Sequence, residues 1–149
     1  MKPARDIIVR IVLISPPVGI DYGIQKGKGS DYETLYLQRP TNPRAQIVFD
    51  VPITVTDVDG AVSFGGPFVQ GKPGDRFLYV DIGKYAGQRN TTWARRIKVP
   101  LGNINWTLIE QAVKSGKAIE TRIPGTAKDG SPTAASTAKI QSAWALVAR

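Results

Sequence analysis

The chain contains no histidine and no cysteine among its 149 residues. Without histidine, the usual general base near neutral pH and the commonest metal ligand are both missing. Without cysteine there is no disulfide, no thiolate nucleophile and no thiolate zinc site. Serine–histidine and cysteine–histidine mechanisms are therefore excluded. An enzyme built on this chain would have to use carboxylates, tyrosine, lysine or a cofactor. No apolar run reaches ~18 residues, which excludes a transmembrane helix. Met1 to Arg5 is basic and residues 7–14 are apolar, but Asp6 and Arg10 interrupt the pattern, and no small-x-small cleavage site precedes Pro16-Pro17. A buried first strand explains this stretch better than a signal peptide does. With neither leader nor disulfides, a cytoplasmic location is expected.

What is present suits a globular protein. The chain is 42% hydrophobic and 21% charged, and its length suits one domain over 1–149. Net charge is +8 and unevenly spread. Residues 46–83 carry two basic and five acidic side chains, whereas residues 84–122 carry eight basic and two acidic. Such sidedness points to an anionic partner, a small molecule or nucleic acid, and not to a membrane. A solvated basic face would give the same pattern.

Short alternating runs separated by turn signals predict a mainly β protein. Residues 6–15 place Ile7, Val9, Ile11 and Leu13 on one face and Ile8, Val12 and Ile14 on the other, which predicts a strand covered on both sides. Residues 22–26 and 33–39 are further strand candidates, with Lys26-Gly27-Lys28-Gly29-Ser30 a flexible loop between them. Pro52 demotes the run 45–56 to an edge strand, or to two strands joined at a bulge. Asp59-Gly60 marks a tight hairpin, and Lys72-Pro73-Gly74-Asp75 a type II turn. Residues 76–82, apolar on both faces, make the best central strand, and 93–99, 117–123 and 139–147 complete the set. Thr107-Leu108-Ile109-Glu110 fits a capping box, and Gly116 a helix stop. The expected fold is an antiparallel β-sandwich or barrel of about eight strands with one short α-helix over 107–116.

Three near-motifs fail on chemistry. Gly66 to Lys72 fits seven positions of a phosphate-binding P-loop, but the eighth, a magnesium-binding hydroxyl, is Pro73, and a turn and strand follow where a helix is needed. Ser136-Thr137-Ala138-Lys139 fits the serine–lysine pattern of penicillin-recognising enzymes without their other motifs. Asp57-Val58-Asp59-Gly60 lacks the spacing and closing glutamate of a calcium loop.

Two constellations remain. Asp81 falls on the Phe77 and Tyr79 side of its strand, so Asp81 and Tyr79 are the catalytic candidates if the chain is an enzyme. A strand-end aspartate bonding a loop amide would explain Asp81 as well. The denser signal is basic and aromatic, running from Arg76 to Lys98. Arginine forks bind phosphate or carboxylate, and an exposed ring can stack a base. Arg95 falls on the inward face, where a guanidinium needs either a carboxylate such as Asp81 or a ligand anion. The expected ligand-binding set is Gln70, Arg76, Gln88, Trp93, Arg95 and Arg96. The arginines would supply charge, the glutamines hydrogen bonds and Trp93 stacking. No metal and no cofactor is expected.

Gly66-Pro67-Phe68-Val69-Gln70-Gly71, Arg76-Phe77, Ala86-Gly87-Gln88, and Trp93 with Arg95-Arg96-Ile97-Lys98-Val99-Pro100-Leu101 resemble a bacterial family of small single-domain proteins of unknown function. Gln25 with Gly27 and Gly29, and Pro124-Gly125-Thr126 with Asp129-Gly130, fit the same pattern. The likeness spans most of the chain and departs at Lys72, where proline is expected, and around 134–137. It implies a single bacterial domain and supplies no activity and no catalytic residues. The leading expectation is a non-enzymatic binding module for an anionic ligand, either a phosphorylated or carboxylated small molecule or nucleic acid. The alternatives are a hydrolase- or isomerase-like enzyme using carboxylate and tyrosine chemistry, and a structural module meeting a protein partner through an edge strand at 45–56.

Overall fold

The computed structural model describes residues 3–14, 18–19, 21–28, 31–42, 44, 46–83, 95–102, 104–115, 119–121, 126–127 and 139–147. In chain order the elements are β1 (Arg5–Ile14), β2 (Asp21–Lys28), β3 (Asp31–Gln38), β4 (Gln46–Val58), β5 (Ala61–Gly65), β6 (Gln70–Lys72), β7 (Asp75–Gly83), β8 (Arg95–Pro100), α1 (Trp106–Ser115), β9 (Ile119–Thr121), β10 (Thr126–Ala127) and β11 (Lys139–Val147). They form two antiparallel sheets. One runs β5-β4-β1-β11-β9; the other runs β10-β8-β7-β2-β3, with β6 also paired to β7. No closed barrel forms among the described residues, so the arrangement is a sandwich.

Period-two alternation decides what lies between the sheets. In β4 the odd residues Ile47, Phe49, Val51, Ile53 and Val55 are buried, and the even residues from Gln46 to Thr54 are exposed. Ile7, Val9, Ile11 and Leu13 of β1 join them, facing Tyr22 and Ile24 of β2, Leu78, Val80 and Ile82 of β7, and Val99 of β8. Each such side chain contributes about 1.5–3 kcal/mol of hydrophobic stabilisation. Ile109 of α1 belongs to the same cluster, and α1 packs against β11 and β9.

Four expectations change. The second face of β1 is not fully buried where its side chains are described: Ile8 is half-buried, and Arg10 forks onto Asp50 at 2.7 and 3.0 Å. β2 continues through the glycine–lysine stretch to Lys28 instead of ending at Lys26. β4 is one continuous 13-residue strand lying between β5 and β1. Pro52 is tolerated there because the β4–β5 register stops at Thr54↔Gly65. Beyond that point β4 has no ladder on that side among the described residues, and the missing N–H breaks none of the described pairing. The helix begins one residue earlier than expected, capped by Asn105 and not by Thr107. The Asn105 Oδ1 accepts the Leu108 N–H at 2.9 Å, and its carbonyl accepts that of Ile109 at 3.0 Å.

Both turn readings hold. Asp59 and Gly60 have φ of 53° and 84°, the two positive values of a type I′ hairpin, and Gly74 has φ of 87° after Pro73. β7 is the middle strand of its sheet.

Tyr22 is fully buried, and burial pushes its phenol up to about 12. An unfolded tyrosine ionises near ~10. The folded protein therefore holds this proton more tightly. The resulting stability is whole below pH ~10 and is lost as pH rises through about 12. Urea titrations across this window are expected to show the wild type losing on the order of 2 kcal/mol more than Tyr22→Phe, which has no proton to release. Parallel losses in the two proteins would mean that Tyr22 does not govern the alkaline limb.

Candidate functional site

The turns that the sequence places far apart meet beside the start of α1. The β4–β5 hairpin, the β6–β7 turn, Gly102 and residues 104–107 line a cleft of about 690 Å³. Val58, Val62 and Phe64 come from the hairpin, Pro73 and Gly74 from the turn, and Ile104, Asn105, Trp106 and Thr107 from the helix approach. The segment is tied down by backbone: the Leu101 N–H donates to the Arg76 carbonyl and the Ile104 N–H to the Leu101 carbonyl, each at 3.0 Å. Arg76 lines the cleft, half-buried, with Nη1 donating to the Gly71 carbonyl. Among the described residues no carboxylate lines it, and the first turn of α1 holds no acidic residue.

Arg10 and Arg39 show what an arginine finds elsewhere in this fold. Each closes bidentate on a carboxylate, Arg10 on Asp50 and Arg39 on Asp21 at 2.6 and 2.9 Å. Hydrogen bonding to those carboxylates pushes both guanidinium groups further up. Arg76 meets no carboxylate among the described residues.

The glycine–glutamine motif is structural. Gln70 is buried and donates Nε2 to the Gly27 carbonyl at 2.7 Å, while the Gly27 N–H donates to the Pro67 carbonyl at 2.9 Å. The Val69 N–H closes a turn on Gly66 at 3.2 Å. The stretch that mimicked a phosphate cradle therefore stitches β6 to β2, and β7 follows it where a P-loop needs a helix. Phe68 is buried beneath Tyr36, ring centroids 5.7 Å apart.

The family model that matches this pattern covers residues 7–147. The chain belongs to the family of unknown function DUF5990. No curated protein and no solved structure matches it.

Of the remaining sequence candidates of this DUF5990 chain, Asp81 and Tyr79 do not line the cleft. Asp81 is completely buried on the β7 face that also carries Tyr79, and it accepts the Thr34 hydroxyl at 2.9 Å. Tyr79 is half-buried, edge-on to Phe77 at 4.8 Å, with the Lys98 Nζ 4.4 Å from the Phe77 ring centre. In the β7–β8 register Asp81 stands opposite Arg96, and Arg95 opposite Ile82. Of Arg95 and Arg96 only the backbone is described, and Gln88 and Trp93 fall outside the described residues. Of the six expected ligand residues, Arg76 alone is placed by the described residues at the cleft. The sequence reading missed Phe64, Asn105 and Trp106. A tryptophan directly after a helix-capping asparagine, in a stretch without acidic residues, was the available signal. Among the described residues no three of His, Cys, Asp and Glu group as metal ligands, and no helix is long and apolar enough to cross a membrane.

Proposed function

We propose that this chain is a non-enzymatic module that binds a small anionic ligand, phosphorylated or carboxylated, in the cleft at Arg76. The supporting observation is the state of that guanidinium. Among the described residues no carboxylate lines the cleft in which it is half-buried, and it lacks the fork that Arg10 and Arg39 each have. A bound carboxylate or phosphate would complete the same bidentate arrangement. The positive end of the α1 dipole opens onto the same space and favours the same sign of charge. A concave site of about 690 Å³ lies in the size range of small-molecule pockets, which favours a small ligand over a nucleic-acid strand. Asp81, fully buried and outside this cleft, would have to open to solvent before it could act in catalysis.

Arg76→Gln removes the charge and keeps a donor for the Gly71 carbonyl. Near-saturating inorganic phosphate is expected to raise the melting temperature of the wild type by about 5 °C or more and to leave the variant unmoved. Equal rises in both proteins, or none in either, would sink the assignment. Tight binding of a mixed-sequence single-stranded oligonucleotide, falling steeply with salt, would transfer it to the nucleic-acid branch.

A further inference from the structure

A bare anion bound at Arg76 would fill only a small part of the cleft. Among the described residues its walls carry Val58 and Val62 on the β4–β5 hairpin and Pro73 on the β6–β7 turn, backed by the buried Phe64, Ile104 and Trp106, against one cation, Arg76. Val58 is 54% exposed, the most exposed of the large apolar side chains described, and it stands at the hairpin tip beside the opening. A phosphate or acetate ion at Arg76 would leave most of the space to water lying against hydrocarbon. Such a lining gains free energy by covering its apolar surface, while one polar anchor fixes orientation.

Resting on the anion reading above, we infer that the ligand is an amphipathic organic anion: a carboxylate or phosphate head on an apolar, ring-sized body. The head meets the Arg76 fork, and the body lies against Val58, Val62 and Pro73, with the nearly buried Phe64 and Trp106 behind them. A flat, rigid body is favoured over a flexible chain of equal area, because it loses less conformational freedom on binding. The specificity then divides between two chemically separate parts of one cleft, and each part can be removed alone.

Calorimetric titration with 2-naphthoate, acetate, inorganic phosphate and the uncharged 2-naphthalenemethanol separates them. The expected result is 2-naphthoate binding at least tenfold tighter than acetate, phosphate or the alcohol, with Arg76→Gln abolishing this advantage. Val58→Ser, a change at an exposed hairpin position, is expected to weaken 2-naphthoate several-fold more than phosphate. If acetate and phosphate bind through Arg76 but 2-naphthoate binds no tighter, the apolar body is wrong and the anion reading stands. If the alcohol binds as tightly as 2-naphthoate, the charge is irrelevant and the anion reading falls, taking this inference with it. If none of the four probes binds, both are overturned.

Discussion

The Gly71→Ala variant is expected to unfold about 10 °C below the wild-type chain. Gly71 has a φ of 91°, in the left-handed region where a side chain costs roughly 1–2 kcal/mol. Space is the larger problem. A Cβ at this position would lie 2.3 Å from the Asp75 carbonyl oxygen and 2.8 Å from Cε1 of the Phe77 ring. The carbonyl cannot swing aside, because Lys72↔Asp75 and Gly71↔Arg76 are paired in the β6–β7 ladder. Relieving such an overlap costs about 1–3 kcal/mol more, for a total of roughly 3–4 kcal/mol. Gly74 supplies the control. Its φ is 87°, but nothing lies within 4 Å of an added Cβ, so Gly74→Ala is expected to lose only about 1 kcal/mol. Thermal and urea unfolding of the two variants side by side would test this. Equal losses would show that the crowding at Gly71 is relieved at no cost. The same substitution disturbs the Gly71 carbonyl on which the Arg76 guanidinium rests, so phosphate binding is expected to weaken along with stability.

How far the sequence carried is clearest at β4 and α1. The odd–even rhythm from Ile47 to Val55 is local, and so is the pair of positive φ values at Asp59 and Gly60; both were readable because a residue's own backbone and its neighbours decide them. Pro52 was misjudged because its tolerance depends on where β5 ends, a fact about a partner strand. The cap was read at Thr107 because Thr107 to Glu110 matches a capping box, whereas the cap depends on which residue first leaves the helical path, and that is Asn105. The second apolar row of β1 suggested burial on both faces, yet the fold pairs Arg10 with Asp50 on that side. A salt bridge spanning 40 residues leaves no trace in local periodicity. The cleft was illegible for the same reason. It is assembled from a hairpin near residue 60, a turn near 73 and a helix start near 105, and of its lining residues the sequence reading picked out Arg76 alone as a ligand candidate. The cluster read from Arg76 to Lys98 rested on sequence proximity, and its Gln88, Trp93, Arg95 and Arg96 side chains lie outside what is described.

Gly23→Ala is expected to cost about 3 kcal/mol, for a reason that involves no backbone strain. β2 lies between β3 and β7, so a side chain from β3 must cross β2 to reach β7. Thr34 does so over Gly23, placing its hydroxyl 2.9 Å from the buried Asp81 carboxylate. An added Cβ would meet the Thr34 Cγ2 at 2.4 Å, with the Leu35 carbonyl and the Leu37 Cδ2 both at 3.0 Å. The threonine must retreat, and the carboxylate then loses a charge-assisted hydrogen bond worth about 1.5–3 kcal/mol. Thr34→Val isolates that bond by keeping the shape and deleting the hydroxyl. Thr34→Ala instead vacates the space that the new Cβ needs. In the double variant the two costs are therefore expected to overlap, giving a coupling of at least about 1 kcal/mol in a double-mutant cycle. Strict additivity would mean that Gly23 is required by the Leu35 carbonyl rather than by the passage of Thr34, and the bond to Asp81 would then owe nothing to the glycine.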